Sequence, residues 1–310
     1  MLKKIIVIGG PTCSGKTEFS IELAERFGAE IINFDSMCFY KYFDIGTAKP
    51  DAEARSRVKH YLVDIKYPDE EYNARTFSDD AEKLIEDMAS RGKIPVFTGG
   101  TGLYIKALIY GLSPIPETDK SVFREKASEL IKEKGLIFLY ETVKRIDPRY
   151  ASKISSSDTQ RITRAYEVYC ATGKPLSFYL DKNPFGRQRY DFLCFNLYPQ
   201  KDYLKSCIMK RTSAIIKKGL VEETKKILSM GYKTDLKPFK GIGYRESLMY
   251  LNKELPAEKD LYDKIVSSTL KYAKRQFTFF KKFENVLPVY FTDLNAKIEF
   301  SSKYIERFLK

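Results

Sequence analysis

The sequence predicts an α/β fold, a parallel sheet with helical crossovers that is interrupted by a helical insertion. Three observations carry this reading. Short apolar runs alternate with helical patterns over roughly the first third of the chain, the rhythm of βαβ units. One strand-to-helix turn is rich in glycine and ends in a lysine. After Gly111 the strand rhythm stops and does not return until Asp191–Tyr198.

The elements follow in chain order. Ile5–Gly9 is a run of β-branched residues closed by glycines, a fully buried strand. Thr17–Phe27 places Phe19, Leu23 and Phe27 on one helical face. Glu30–Phe34 and Tyr61–Ile65 read as a second and a third strand. Phe77–Arg91 is a helix with Ala81, Leu84, Ile85 and Met88 as its apolar stripe. Ile94–Phe97 is a fourth strand ending in Gly99-Gly100, and Thr101–Tyr110 another helix. Ser113-Pro114-Ile115-Pro116 is a linker-like break. From there to about Gly186 the patterns are helical and basic. Helices then occupy Tyr203–Lys217, Val221–Met230, Tyr244–Leu251 and Ala257–Phe283. The expected organisation is a core of residues 1–115 and 190–310 with a helical insertion at 116–189.

Composition narrows the function. Of 310 residues, 43% are hydrophobic, enough to build a core and to exclude wholesale disorder. Cys13, Cys38, Cys170, Cys194 and Cys207 are odd in number and form no C-x-x-C, which argues against a disulfide framework or a zinc site. His60 is the only histidine, so neither a histidine metal site nor a Ser-His-Asp triad can be built. The apolar run after Lys4 is too short for a signal peptide. No stretch is long and apolar enough for a membrane span, and a cytoplasmic location is expected. The net charge is +13 and uneven: residues 1–120 hold 16 basic and 19 acidic side chains, residues 121–310 hold 38 and 22. Such asymmetry fits a polyanionic partner, most often nucleic acid, or a lysine-rich solvated surface.

Gly10-Pro11-Thr12-Cys13-Ser14-Gly15-Lys16-Thr17 fits G-x-x-x-x-G-K-[ST] between a strand and a helix. This makes the core P-loop NTPase-like. Its backbone N–H groups and the helix N-terminus suit a di- or triphosphate. Lys16 adds a point charge, and Thr17 can hold Mg²⁺. Asp35-Ser36 follows the second strand, where a side chain points into the cleft. Asp35 can hold Mg²⁺, act as a general base, or simply cap a turn. Asp44–Pro50 is a polar loop of the kind that carries function. Gly99-Gly100-Thr101-Gly102 makes a second glycine-rich strand–helix turn facing the same cleft, and can bring the Thr101 hydroxyl to it. Arg161 and Arg164 share a helix face. The stretch Lys271–Lys282 mixes basic and aromatic residues. It suits either phosphate contact with base stacking or an amphipathic helix with its aromatics in the core.

Taken together, these motifs resemble the tRNA dimethylallyltransferase (tRNA isopentenyltransferase) family of bacterial type. The resemblance runs through Gly10–Thr17, Asp35-Ser36, Tyr40, Asp44–Pro50, His60–Asp64, Gly92–Tyr104, Asp158–Val168, Gly219–Glu223, Gly241–Tyr244 and Ala273–Gln276. It implies transfer of a dimethylallyl group from its diphosphate to N6 of the adenosine 3′ of the anticodon. It makes Asp35 the general base, sets Thr101 at the nucleotide and the diphosphate, and lets Lys16, Thr17 and Mg²⁺ neutralise the leaving group. It places the diphosphate on Gly10, Pro11, Thr12, Cys13, Ser14, Gly15, Lys16, Thr17 and Arg211. It assigns tRNA contacts to Asp35, Ser36, Met37, Cys38 and Thr101, and in the insertion to Phe123, Gln160, Arg161, Ile162, Thr163 and Arg164. The basic insertion would hold the anticodon stem-loop, and a monomer with no membrane partner is expected. The chain departs from the family at Cys38, where Gln is common, and at Phe123, where Arg is common. Two further readings remain: a P-loop kinase of a nucleoside or small metabolite, and a non-catalytic RNA-binding factor.

Overall fold

The structure is a computed structural model and describes residues 2–116, 121–182, 187–283 and 286–310. The chain runs β1 (Lys4–Gly9), α1 (Lys16–Phe27), β2 (Glu30–Asn33), α2 (Ala52–Arg57), β3 (His60–Tyr61), α3 (Ala74–Ser90), β4 (Pro95–Thr98) and α4 (Gly102–Tyr110). Helices α5 (Ser121–Lys134), α6 (Leu136–Ile146), α7 (Pro148–Ala151), α8 (Thr159–Thr172) and α9 (Leu176–Lys182) follow. The chain then returns through β5 (Asp191–Leu197), α10 (Lys201–Lys217), α11 (Leu220–Ser229), a 3-10 turn (Lys237–Lys240), α12 (Tyr244–Leu251), α13 (Glu258–Phe280), β6 (Val286–Val289) and α14 (Leu294–Leu309).

The six strands form one parallel sheet in the order β3-β2-β4-β1-β5-β6. In β1, Val7 lies between Phe97 and Cys194, and Ile5–Ile8 are 0–1% exposed. A strand covered on both faces reads as an unbroken apolar run, as this one does. On one face Ile6, Ile8, Ile31, Val96, Phe195 and Leu197 pack with Phe19 of α1 and Ile298 and Ile305 of α14. Each such fully buried side chain contributes roughly 1.5–3 kcal/mol. Because β4 is inserted between β1 and β2, the strand ends that carry Gly10, Phe34 and Gly99 lie side by side. Parallel sheets bind ligands at such a point.

Three expectations change. The strand placed at Tyr61–Ile65 shrinks to His60–Tyr61, because Leu62 and Asp64 take φ of 58° and 57° and leave the extended region. The edge strand β6 and the helix α14 were not anticipated. Pro288 sits in β6 at the sheet's edge, where a missing N–H costs no ladder bond. The third change concerns charge. The chain divides into two compact units, residues 1–109 with 189–310, and residues 110–188. Residues 110–188 hold only 14 basic against 10 acidic side chains, whereas residues 189–310 hold 25 against 14. The positive excess belongs mainly to the unit that carries the phosphate loop, not to the insertion.

The smaller unit builds its own core from Ala127, Leu139, Val143, Ala151, Ile162, Ala165 and Val168. Asp147 is buried there and caps two backbones, accepting from Tyr150 N at 3.0 Å and from Ser177 N at 2.8 Å. Buried Glu167 accepts from Arg124 at 3.0 Å and from Arg164 at 3.4 Å.

Candidate active site

The phosphate loop closes on itself through left-handed backbone at Cys13 (φ 62°) and Gly15 (φ 84°), and Gly15 caps α1. Lys16 folds inward. Its Nζ donates to the carbonyls of Gly10 (3.1 Å) and Pro11 (2.6 Å). Burial lowers its pKa to about 8, against the opposing pull of the Asp35 and Cys13 side chains. Arg211, from α10, donates to Thr12 Oγ1 at 2.9 Å, approaches Cys13 Sγ at 3.7 Å and reaches the Thr47 carbonyl at 3.4 Å. Thr17 stands exposed at the start of α1.

Two more loops meet this one. After β2, Asn33 accepts from the backbone N–H of Asp35 at 3.0 Å and donates to the carbonyls of Asp35 and Leu62, which fixes the turn. Asp35 Oδ1 accepts from Met37 N at 3.1 Å. After β4, Thr101 Oγ1 accepts from Ser36 N at 3.0 Å and donates to Ser36 Oγ at 3.3 Å. Gln276 of α13 joins the two glycine-rich turns. It accepts from Thr12 N at 2.8 Å and donates to the Gly100 carbonyl at 3.1 Å. A Cβ on Gly100 would lie 2.0 Å from that amide, so only glycine leaves room for the bridge. Tyr272, one turn earlier, faces Thr101 and Asp35. Burial and the Asp35 carboxylate push its phenol well above the usual range. The same two causes raise the Cys38 thiol.

The loop Asp44–Pro50 forms one wall and is held from several sides. Lys49, buried, pairs with Asp44 at 2.8 Å and Asp64 at 2.6 Å and donates to the Tyr40 carbonyl. Arg55 takes the other oxygen of Asp64 at 2.8 Å. Glu223 of α11 accepts from Ile45 N at 3.0 Å and from the Tyr244 hydroxyl at 2.6 Å, and that hydroxyl accepts from Gly46 N at 3.0 Å. Together these walls enclose an open cleft of about 1330 Å³. Arg245, Lys264, Lys271 and Arg275 also line it, which is where part of the C-terminal charge excess goes.

The structure therefore brings Thr12–Thr17, Asp35–Cys38 and Arg211 to one cleft, with Gly10 and Pro11 beneath Lys16 and Thr101 bonded to Ser36. Cys38 reaches it while being 6% exposed. The remaining predicted contacts lie in the smaller unit. Gln160 and Arg161 are exposed, Thr163, Arg164 and Phe123 half-buried. The side chain of Ile162 is fully buried in that unit's core, which leaves only its backbone to meet a partner. The Lys271–Lys282 stretch divides. Ala273, Gln276 and Phe280 are buried while Lys274, Lys281 and Lys282 are solvated, as in an amphipathic helix. Lys271, Tyr272 and Arg275 nevertheless face the cleft. Sequence reasoning gave no role to Gln276, Tyr272, Glu223 or Tyr244. Each belongs to, or adjoins, a string quoted above, but its partner lies far off in the chain.

Among the described residues no group of three or more His, Cys, Asp or Glu is placed to hold a metal. An oxygen-ligated Mg²⁺ bound mainly through phosphate oxygens needs no such cage, and the exposed Thr17 hydroxyl beside the loop fits that mode.

Comparison with known proteins bears on this cleft. A family model described as IPP transferase matches residues 38–283. The tRNA dimethylallyltransferase of Acetivibrio thermocellus is 41% identical over 285 residues, 92% of this chain and 91% of its own. That of a Sulfurihydrogenibium species is 43% identical over 277 residues, 89% and 88% of the two chains. The crystal structure of the full-length tRNA isopentenylpyrophosphate transferase from Bacillus halodurans covers 100% of this chain and 97% of its own, with TM-score 0.72 and 32% identity. A eukaryotic dimethylallyltransferase captured acting on tRNA superposes with TM-score 0.77 at 27% identity, over 98% and 80% of the two chains.

Proposed function

The chain belongs to the IPP transferase family and is a dimethylallyltransferase acting on tRNA, and from that premise we propose that it moves the group from dimethylallyl diphosphate to N6 of the adenosine 3′ of the anticodon. The observation that carries this reading is the convergence of a carboxylate and a phosphate cradle on one cleft, Asp35 opposite Lys16. None of the relatives above is a kinase, which leaves that alternative without support.

In the proposed reaction the N6 lone pair attacks C1 of the dimethylallyl group, the C1–O bond breaks, and the diphosphate leaves with the bonding pair. Asp35 takes the N6 proton. An exocyclic amine is a poor nucleophile, so alignment, proton removal and leaving-group stabilisation must each contribute. Met37 N–H holds one Asp35 oxygen, which leaves the other for the amine. Thr101, tied to Ser36, sets the edge of the nucleotide pocket. The loop amides, Lys16 and Arg211 hold the diphosphate. The Thr17 hydroxyl would hold Mg²⁺, which would supply charge neutralisation for the departing diphosphate. The target base leaves its stack to enter the cleft. The smaller unit grips the anticodon arm, Arg161 and Arg164 lying on one face of α8. No helix among the described residues is long and apolar enough to cross a membrane. We place the protein in the cytoplasm as a monomer.

The test incubates the protein with unmodified tRNA, dimethylallyl diphosphate and Mg²⁺ and analyses the nucleosides by mass. The expected product is N6-dimethylallyl adenosine at the position after the anticodon. Its absence, or its appearance at another nucleotide, overturns the reading.

A further inference from the structure

The helix α14 brings a second lysine to the phosphate loop. Lys297 is 6% exposed, and its Nζ lies 3.4 Å from where a Cβ on Gly15 would stand. Gly15 is the residue that caps α1, so this ammonium faces the positive end of that helix. Among the described residues its Nζ has neither a hydrogen-bond acceptor nor a salt-bridge partner. Asp293, one turn away, spends a carboxylate oxygen on Ala296 N at 2.9 Å. Burial lowers the pKa of Lys297, and the Asp293 and Cys207 side chains oppose that shift only from a distance.

The stem of Lys297 is buried while its ammonium has no protein partner, and a positive charge held beside a helix N-terminus is disfavoured. Two positive elements held together are stabilised by an anion that meets both. Gly15 and Cys207, the neighbours of Lys297, both line the cleft, and Lys297 stands behind them. Lys16 approaches the loop at Gly10 and Pro11, Arg211 at Thr12, and Lys297 at Gly15. We propose that Lys297 is a third cation for the diphosphate of the prenyl donor and of the pyrophosphate product, meeting it on the Gly15 side of the loop. This rests on the reading that the phosphate loop binds the donor's diphosphate.

The test is Lys297→Met, which keeps the length and packing of the stem and removes the charge. Pyrophosphate and dimethylallyl diphosphate are titrated with Mg²⁺ into the full-length protein by calorimetry. The expected result is a Kd about tenfold higher for both, in the range of one hydrogen bond to a charged group. The tRNA Kd should be unchanged, and Tm unchanged or raised because an unpartnered charge beside a helix N-terminus is gone. Lys297→Arg should bind pyrophosphate within a few fold of the native chain. Equal pyrophosphate affinity in native and Met forms overturns the inference while leaving the proposed function intact. So does a loss of affinity that accompanies a fall of several degrees in Tm and that arginine does not restore, since that marks a structural lysine. If the native chain binds neither pyrophosphate nor the donor, the proposed function fails, and the inference falls with it.

Discussion

Lys16 and Lys49 stand on two loops of one cleft, and their surroundings are opposite. Lys49 is enclosed by Asp44, Asp64 and the Tyr40 carbonyl. Lys16 has only the carbonyls of Gly10 and Pro11, with Asp35 acting on it from further away. The loop that must keep its shape neutralises its charge internally. The loop that must hold a ligand leaves its charge for the ligand to complete.

Each side of that contrast can be broken. The largest effect is expected at the reactive side. Asp35→Ala and Lys16→Met should each cut turnover by about 10²–10⁴-fold, the range for a general base or a preorganised charge. They should separate in binding, with donor affinity kept in Asp35→Ala and weakened in Lys16→Met. Near-native turnover in Asp35→Ala removes its role as base. On the held side, Lys49→Met leaves two carboxylates facing each other. It should cost about 3 kcal/mol, the lower end for removing one partner of a buried pair because Asp44 is exposed. An unchanged urea midpoint refutes the clamp.

A smaller effect sharpens the comparison. In the free protein Lys16 is an ammonium below about pH 8 and loses its proton above it. A diphosphate binds the ammonium form, so donor Kd should be flat between about pH 7, above the second ionisation of the donor's terminal phosphate, and pH 8, and rise toward tenfold per unit above that. That rise should be absent in Lys16→Met. The smallest effect per residue concerns Lys264, Lys271 and Arg275. Neutralising any one should lower the salt slope of tRNA binding by about 1 with little change in donor affinity. An unchanged slope for all three places the tRNA elsewhere.

Much of this was legible before the fold was known. The strand–loop–helix around Lys16 and the turn at Asp35 are local patterns, and chemistry that depends on neighbours in sequence can be read there. Partnerships across the chain were not. Gln276 meets Thr12 and Gly100, and Glu223 meets Ile45, over separations that no periodicity encodes. Ile162 was named only because the resemblance assigns its whole string to tRNA, and the helical period turns its side chain into the core. Lys297 sits in a helix whose apolar stripe of Ile298 and Ile305 went unread. The charge excess was located along the chain correctly, yet a chain that leaves and re-enters a unit can assign the same charge to either part.

The Gln276 bridge also has a consequence for how the molecule is made. Its two contacts join Thr12 and Gly100 to a helix that leaves the ribosome 264 and 176 residues after them. Contacts of such separation form late, and chains rich in them fold slowly. The phosphate loop is thus spelled out early but braced only by a residue made 264 positions later. Pyrophosphate capture by stalled nascent chains of increasing length should appear only once α13 has emerged, which would make ligand binding a marker of completed folding.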